Sequence, residues 1–427
     1  MAAYIVSAFI FTATFAVILS DKIHRTIVAF AGAAAMVLAG MALGFYSQEQ
    51  AFHAIDFNTL GLLLGMMVLV VMLSQTGFFE YLATLTAKKS GGNPWYLLLL
   101  LGGTTAFLSL FLDNVTTVVL IGPVTVLIAE ILGISPIPLL MAEALLSDTG
   151  GVATLVGDPP NVLIGSAAGF EFNDFVVRLG PIVLITTLAV LFLLRVLFRR
   201  ELSEQSHNVN ALMSLDEKAA IKDRAALPRI LIVLAGVIAL FFLEGLLNLK
   251  PAFAALLGAA AALLWVRPNV EEVFKHIEWS VLLFFAALFV TVGGIEASGL
   301  LRLLAGPVAQ IAGHNLLLTG VAVLWFSALV SAVVDNIPFT IIMIPVIQQL
   351  AVGGVHVTPL WWALALGAGF GGNGTPIGST ANVLIVSISE KTRTPITTAI
   401  WMRTGLPAML VACIVSTLLF ILTFGMM

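Results

Sequence analysis

The chain has 427 residues, 60% hydrophobic and 10% charged, with a net charge of -4. A mean hydropathy of +1.09 is too high for a soluble domain and marks a polytopic helical membrane protein. One cysteine, Cys413, excludes a disulfide framework and a cysteine metal cluster. Scattered histidines exclude a His-built metal site, and no phosphate-binding loop is present for ATP hydrolysis.

Apolar runs long enough to cross or enter a bilayer fall at 3–20, 26–45, 58–74, 95–112, 115–130, 138–168 and 178–198. The first has no basic stretch before it, so it reads as a spanning helix rather than a cleaved signal peptide. A polar linker follows at 199–228. The second half gives runs at 229–246, 252–266, 279–295, 315–334, 337–351, 361–389 and 403–424. The expected organisation is a first transmembrane repeat (1–198), a cytosolic linker (199–228) and a second transmembrane repeat (229–427).

The halves repeat residue by residue. Asp113-Asn114 recurs 222 positions later as Asp335-Asn336, and Pro123 recurs as Pro345. Ile55-Asp56 matches Ile277-Glu278, and Gly77 matches Gly299. At an offset of 221, Gly150 through Ile164 aligns with Gly371 through Ile385. Duplicated folds with buried polar groups at matching places are how many secondary transporters build a midplane site.

Two elements in each half are irregular. The runs around each Asp-Asn are short and joined by no loop, so 95–130 and 315–351 read as re-entrant hairpins with Asp-Asn at the tip. Glycine and proline break 138–168 and 361–389 into discontinuous helices; such backbone is tolerated at membrane depth only where protein or a watery cavity surrounds it. Each half then crosses five times, and the odd number inverts the second repeat. The expected fold class is an all-α polytopic membrane protein of two inverted-topology repeats. With the linker in the cytosol, only Arg178, Lys250 and Arg302 fall outside, 3 of the 19 Lys and Arg. Both termini fall on the outer side of the plasma (inner) membrane.

A carboxylate at membrane depth costs at least a few kcal/mol unless paired or wetted, so buried acids are functional candidates. At the tips, Asp113, Asn114, Thr116, Asp335 and Asn336 are expected to bind substrate or ion, although Asp is also a good helix N-cap. At the breaks, Gly157, Asp158, Asn161, Asn373, Gly374, Thr375, Ser379 and Asn382 are expected to face each other across the repeat interface. The coupling proton is assigned among Asp113, Asp148, Asp158 and Asp335. Asp148 matches Gly369 and Asp158 matches Ser379, so the first half carries more of the acid. Glu143 and Glu130 are expected near the cytosolic edge, solvated or interfacial; Glu80, Glu244 and Glu296 are expected at interfaces. No Lys or Arg lies in either hairpin or break, so citrate or sulfate would meet repulsion there, whereas a cation, a proton or a neutral polyhydroxy solute would not.

Leu112-Asp113-Asn114, Gly157-Asp158-Pro159-Pro160-Asn161-Val162, Asp335-Asn336-Ile337-Pro338-Phe339 and Gly371 through Val383 resemble the signatures of the ion-transporter superfamily. The branch is that of arsenite permeases (ArsB), NhaD-type sodium/proton antiporters and the melanosomal P protein. The Gly-Gly-Asn-Gly-Thr of the second break is closer to the P protein and its prokaryotic relatives than to enteric arsenite permeases. Dicarboxylate members carry Ser-Asn-Thr at their tips, unlike the Asp-Asn here. The resemblance implies the inverted-repeat fold, no organic cofactor, and a proton or sodium as coupling ion. It implies a small inorganic substrate and often a homodimer; arsenite systems add a soluble ATPase, which nothing in the chain signals. No nucleic-acid partner and no structural metal are expected, and no Ser/His, metal or paired-Asp motif makes it an enzyme. The reading is arsenite and antimonite export by proton antiport through alternating access. The alternative is NhaD-type sodium/proton antiport, with anion or dicarboxylate symport behind both.

Overall fold

A computed structural model describes residues 2–20, 22–204, 206–300 and 315–426; among these there are helices and turns but no strand. The helices of the two halves start from matching residues. Asp56 caps Phe57–Gln75 by accepting from the Asn58 and Thr59 amides, and Glu278 precedes Trp279–Ser298. Asn93 caps Pro94–Leu108, and Asn315 caps Leu316–Ser331. Asp113 caps Asn114–Leu132, and Asp335 caps Asn336–Val352. Prolines stand in the first turn of Ile137–Gly151 and of Thr358–Gly372, where a missing N–H costs nothing. Pro159–Ala168 and Thr380–Glu390 then complete the two broken helices. Six described helices have 18 or more residues and are apolar enough to cross a bilayer.

The packing exchanges partners between halves. Arg25–Leu43 lies on Trp279–Ser298, and Pro251–Val266 lies on Phe57–Gln75. Asn114–Leu132 lies on Thr380–Glu390, and Asn336–Val352 lies on Pro159–Ala168. Such reciprocal pairing is two-fold. Its direction follows from hydrogen bonds: Thr26 Oγ1 donates to the Ser280 carbonyl (2.9 Å) and Tyr46 Oη donates to the Val290 carbonyl (3.0 Å). Arg25–Leu43 and Trp279–Ser298 therefore run parallel. Phe57–Gln75 starts at their far end, where Ala54 lies against Gly293. It runs opposite to its own counterpart, Trp279–Ser298, which is the inverted repeat.

Each hairpin stops at the level of a break. A Cβ on Gly157 would lie 2.3 Å from the Ser109 carbonyl oxygen, and one on Gly150 would lie 2.6 Å from that of Ala106. Only glycine lets backbones approach this closely, so the first tip is packed into the middle of the first broken helix. Gly371 and Gly378 do the same against Ala328 and Ser331.

Short helices at Gln48–His53, Phe78–Lys89, Phe172–Arg178 and Val270–Lys275 were not anticipated; they are too short or too polar to register as apolar runs. The linker is pinned to the loops below the first hairpin. His207 N donates to Leu132 O (2.8 Å), Lys222 N to Thr76 O (2.9 Å), and Lys88 pairs with Glu217 (2.6 Å). The next helix starts at Ala226, before the expected 229. The placement expected for Arg302 lies outside the described residues.

Candidate functional site

The breaks are unwound but their polar backbone is not abandoned. Pro159 and Pro160 cannot donate, and the turn before them leaves carbonyls free. Asn161 supplies the donors: its Nδ2 reaches the carbonyls of Gly151 (3.4 Å), Val152 (3.0 Å) and Thr154 (2.8 Å). Asn382 does the same for Gly372 (2.9 Å) and Thr375 (3.2 Å). Thr154 Oγ1 donates to Leu110 O and Thr375 Oγ1 to Ala332 O, tying each break to its hairpin tip. Asn373 spans the halves, donating to Leu145 O (3.2 Å) and Thr149 Oγ1 (3.1 Å), while Trp401 Nε1 donates to its carbonyl (3.1 Å). Gly374 packs on Met409 and Ala332. The nitrogens of Asn161, Asn373 and Asn382 are thus spent on holding the breaks, and only their side-chain oxygens are left without a donor.

The carboxylates occupy the centre of this frame. Asp148, in the last turn of Ile137–Gly151, accepts from Asn114 Nδ2 (2.6 Å) and Ser379 Oγ (3.1 Å). Asp158, beyond the break, accepts from Asn336 Nδ2 (3.4 Å). Each tip asparagine therefore meets one acid, although both acids belong to the first half. The Asp148 position is glycine in the second repeat, where Val152 fills the space: a Cβ on Gly369 would lie 2.2 Å from Val152 Cγ2, with Asp158 Oδ2 3.6 Å away. Both acids are 1% exposed. Neither forms an ion pair among the described residues, and Asp148 Oδ2 and Asp158 Oδ1 accept no hydrogen bond.

Asp113 and Asp335 both act as N-caps. Asp113 accepts from the Thr116 amide (2.8 Å) and hydroxyl (2.6 Å), which is where Thr116 is used. Asp335 accepts from the Ile337 amide (3.1 Å), from Thr380 Oγ1 (3.0 Å) and from Arg25 (3.0 Å). Arg25 corrects the expectation of a site free of bases. It begins a helix 310 positions away and enters by tertiary packing alone, with its guanidinium over Phe284 at 5.4 Å. A cavity of about 310 Å³ opens beside this pair, lined by His24, Arg25, Asp335 and Thr380 among others. Asp113 and Glu278 share a second, smaller cavity with Arg25. The sequence carried one signal for Glu278, its match to Asp56.

Glu143 is also a correction. It is fully buried rather than solvated, with Oε1 accepting from Thr125 and Oε2 unpartnered; its helix sits wholly inside the bundle. Glu130 and Glu296 are exposed, and Glu80 pairs with Lys222 of the linker (3.1 Å).

The citrate transporter model CitMHS matches residues 15–367. The chain belongs to this family. A 46 kDa membrane protein of Mycobacterium leprae is 41% identical over 94% of both chains. An uncharacterized transporter of Mycobacterium tuberculosis is 41% identical over 92% of both. The human P protein is 33% identical over 95% of this chain and 58% of its own length. The crystal structure of the Alcanivorax borkumensis YdaH transporter, described as having an unusual topology, aligns with a TM-score of 0.63 at 18% identity. It covers 95% of this chain and 99% of that one, a likeness of fold. This family member is a multi-pass membrane transporter and not an enzyme.

Proposed function

We propose that this transporter exchanges protons for a small cargo by alternating access, with Asp148 and Asp158 as the carboxylates that bind in turn. The observation that carries this reading is the pair of buried, baseless acids, each addressed by an asparagine from a different hairpin. Moving one hairpin changes the donors of one acid without those of the other, which is what coupling needs.

The unpartnered oxygens sort the cargo. Asp148 Oδ2, Asp158 Oδ1 and the side-chain oxygens of Asn161, Asn373 and Asn382 are buried acceptors without donors. Oxygen acceptors suit a hard monovalent cation such as sodium. They also suit the hydroxyls of a neutral solute such as arsenite or antimonite, the cargo favoured by the sequence reading. The excess of acceptors makes sodium/proton antiport the better fit. Citrate, the family's namesake, would face four aspartates with Arg25 as the base that touches one of them.

The test is proton dissipation in everted vesicles on adding sodium, lithium, arsenite, antimonite or citrate. Sodium should collapse the gradient. A metalloid response without a sodium response replaces the cargo; a citrate response alone, or none to any addition, sinks the proposal.

A further inference from the structure

The two halves use their tip carboxylates unequally. Asp335 is ion-paired to Arg25, whereas, among the described residues, its counterpart Asp113 accepts only from its own helix start. The second half nevertheless contains a matching base. In Arg25–Leu43 the buried residues are Val28, Ala29, Gly32, Ala33, Met36 and Gly40; in Pro251–Val266 they are Pro251, Ala252, Ala254, Ala255, Gly258, Ala259 and Ala262. Five of each coincide at an offset of 226, which is also the offset between the two helix starts. That offset places Lys250 one residue ahead of the position that matches Arg25.

Lys250 stands at the opposite end of the bundle from Arg25. It lines a cavity of about 350 Å³ with Asp56, Asn58 and Glu244, and Asp56 is the counterpart of Glu278 beside Arg25. Lys250 is exposed and forms no ion pair among the described residues. The two ends of the bundle therefore carry the same device, an acid at one scaffold helix start and a base at the next, engaged at one end and idle at the other.

We propose that Arg25 and Lys250 are alternating tethered counter-ions. Arg25 holds Asp335 in the conformation seen here, and Lys250 takes Asp113 when access is reversed. This rests on the alternating-access reading above. A tethered base neutralises the tip carboxylate in each state, so that acid does not cross the membrane as bare charge. Exchange of roles between inverted repeats then produces the opposite-facing state from the same contacts.

Single cysteines report the two ends in a Cys413→Ser background, since Cys413 is buried. Val383→Cys lines the Arg25 cavity and Asn58→Cys lines the Lys250 cavity. Labelling with a hydrophilic maleimide on opened membranes measures access to each. Arg25→Gln should change the ratio of labelling at 58 to that at 383 by roughly fivefold, the scale of one partly exposed ion pair. Lys250→Gln should shift the ratio the other way, and Arg25→Lys should restore it. A shift of the same sign in both glutamine variants, or none with Lys250→Gln, overturns the proposal. If Arg25→Gln does not reach the membrane, Asp335→Asn breaks the same pair and must give the same shift. Opposite shifts in a protein that transports no cation would sink the functional reading alone; sodium transport without them would sink the tethered pair alone.

Discussion

Ser379 donates to Asp148 across 231 positions, at 3.1 Å, with both residues buried. The second break thereby reaches into the first, and the acid lacking a counterpart in its repeat is held by both halves. Ser379→Ala should lower transport about tenfold, since a hydrogen bond to a charged group contributes roughly 1.5–3 kcal/mol. Vesicle transport rates check this. A wild-type rate would show that Asp148 does not need the second repeat.

Asp148→Asn and Asp158→Asn should each abolish proton coupling while the protein still folds, because an amide is isosteric and needs no counter-charge. Gradient dissipation and detergent melting measure the two effects. A coupled transporter bearing either asparagine would remove that acid from the mechanism.

Gly157→Ala should lower stability by about 1–3 kcal/mol, the usual cost of overpacking, and should stop transport. The added methyl would meet backbone oxygens of Ser109 and Gly151 at 2.3 and 2.6 Å, which no rotamer relieves. Gly236 in Ala226–Phe242 is exposed with no atom nearby. Its change to alanine should be neutral or slightly stabilising by helix propensity. A comparison of melting temperatures decides; equal effects would remove the close approach as the cause.

The linker clip should respond to acid. The Lys88 hydrogen bond holds the Glu217 carboxyl below its ordinary range. A depressed carboxylate stabilises the fold above its unfolded value, and that contribution is lost as pH falls through the folded value. Proteolysis within 206–225 should be slow at neutral pH and accelerate below about pH 4, the ordinary carboxylate range. Lys88→Ala should be cut readily at both. Unchanged cutting in that variant would show that the clip is idle.

Much of the architecture was legible because the bilayer forces it. Apolar runs must be helices, Gly157 and the prolines after it must break one, and Asp-Asn at a hairpin start must cap or bind. The matching offsets exposed the repeat, and Asp148 and Asp158 stood out as charges without a place. Roles were less legible than positions. Asn161 and Asn382 are expected as ligands, and their amide nitrogens also satisfy the backbone that unwinding frees, a demand seen only once the turn is traced.

By itself, the sequence determined a membrane-embedded, duplicated, all-helical chain with its acids concentrated in the first half. Periodicity and composition act locally along the chain, and the duplication was visible in the residues themselves. Only the tertiary structure decided that Val152 fills the space at Gly369, that Glu143 is buried, and that Arg25 reaches Asp335. Those outcomes depend on which helix faces end up against each other, and charge pairing across 310 positions leaves no trace in local sequence.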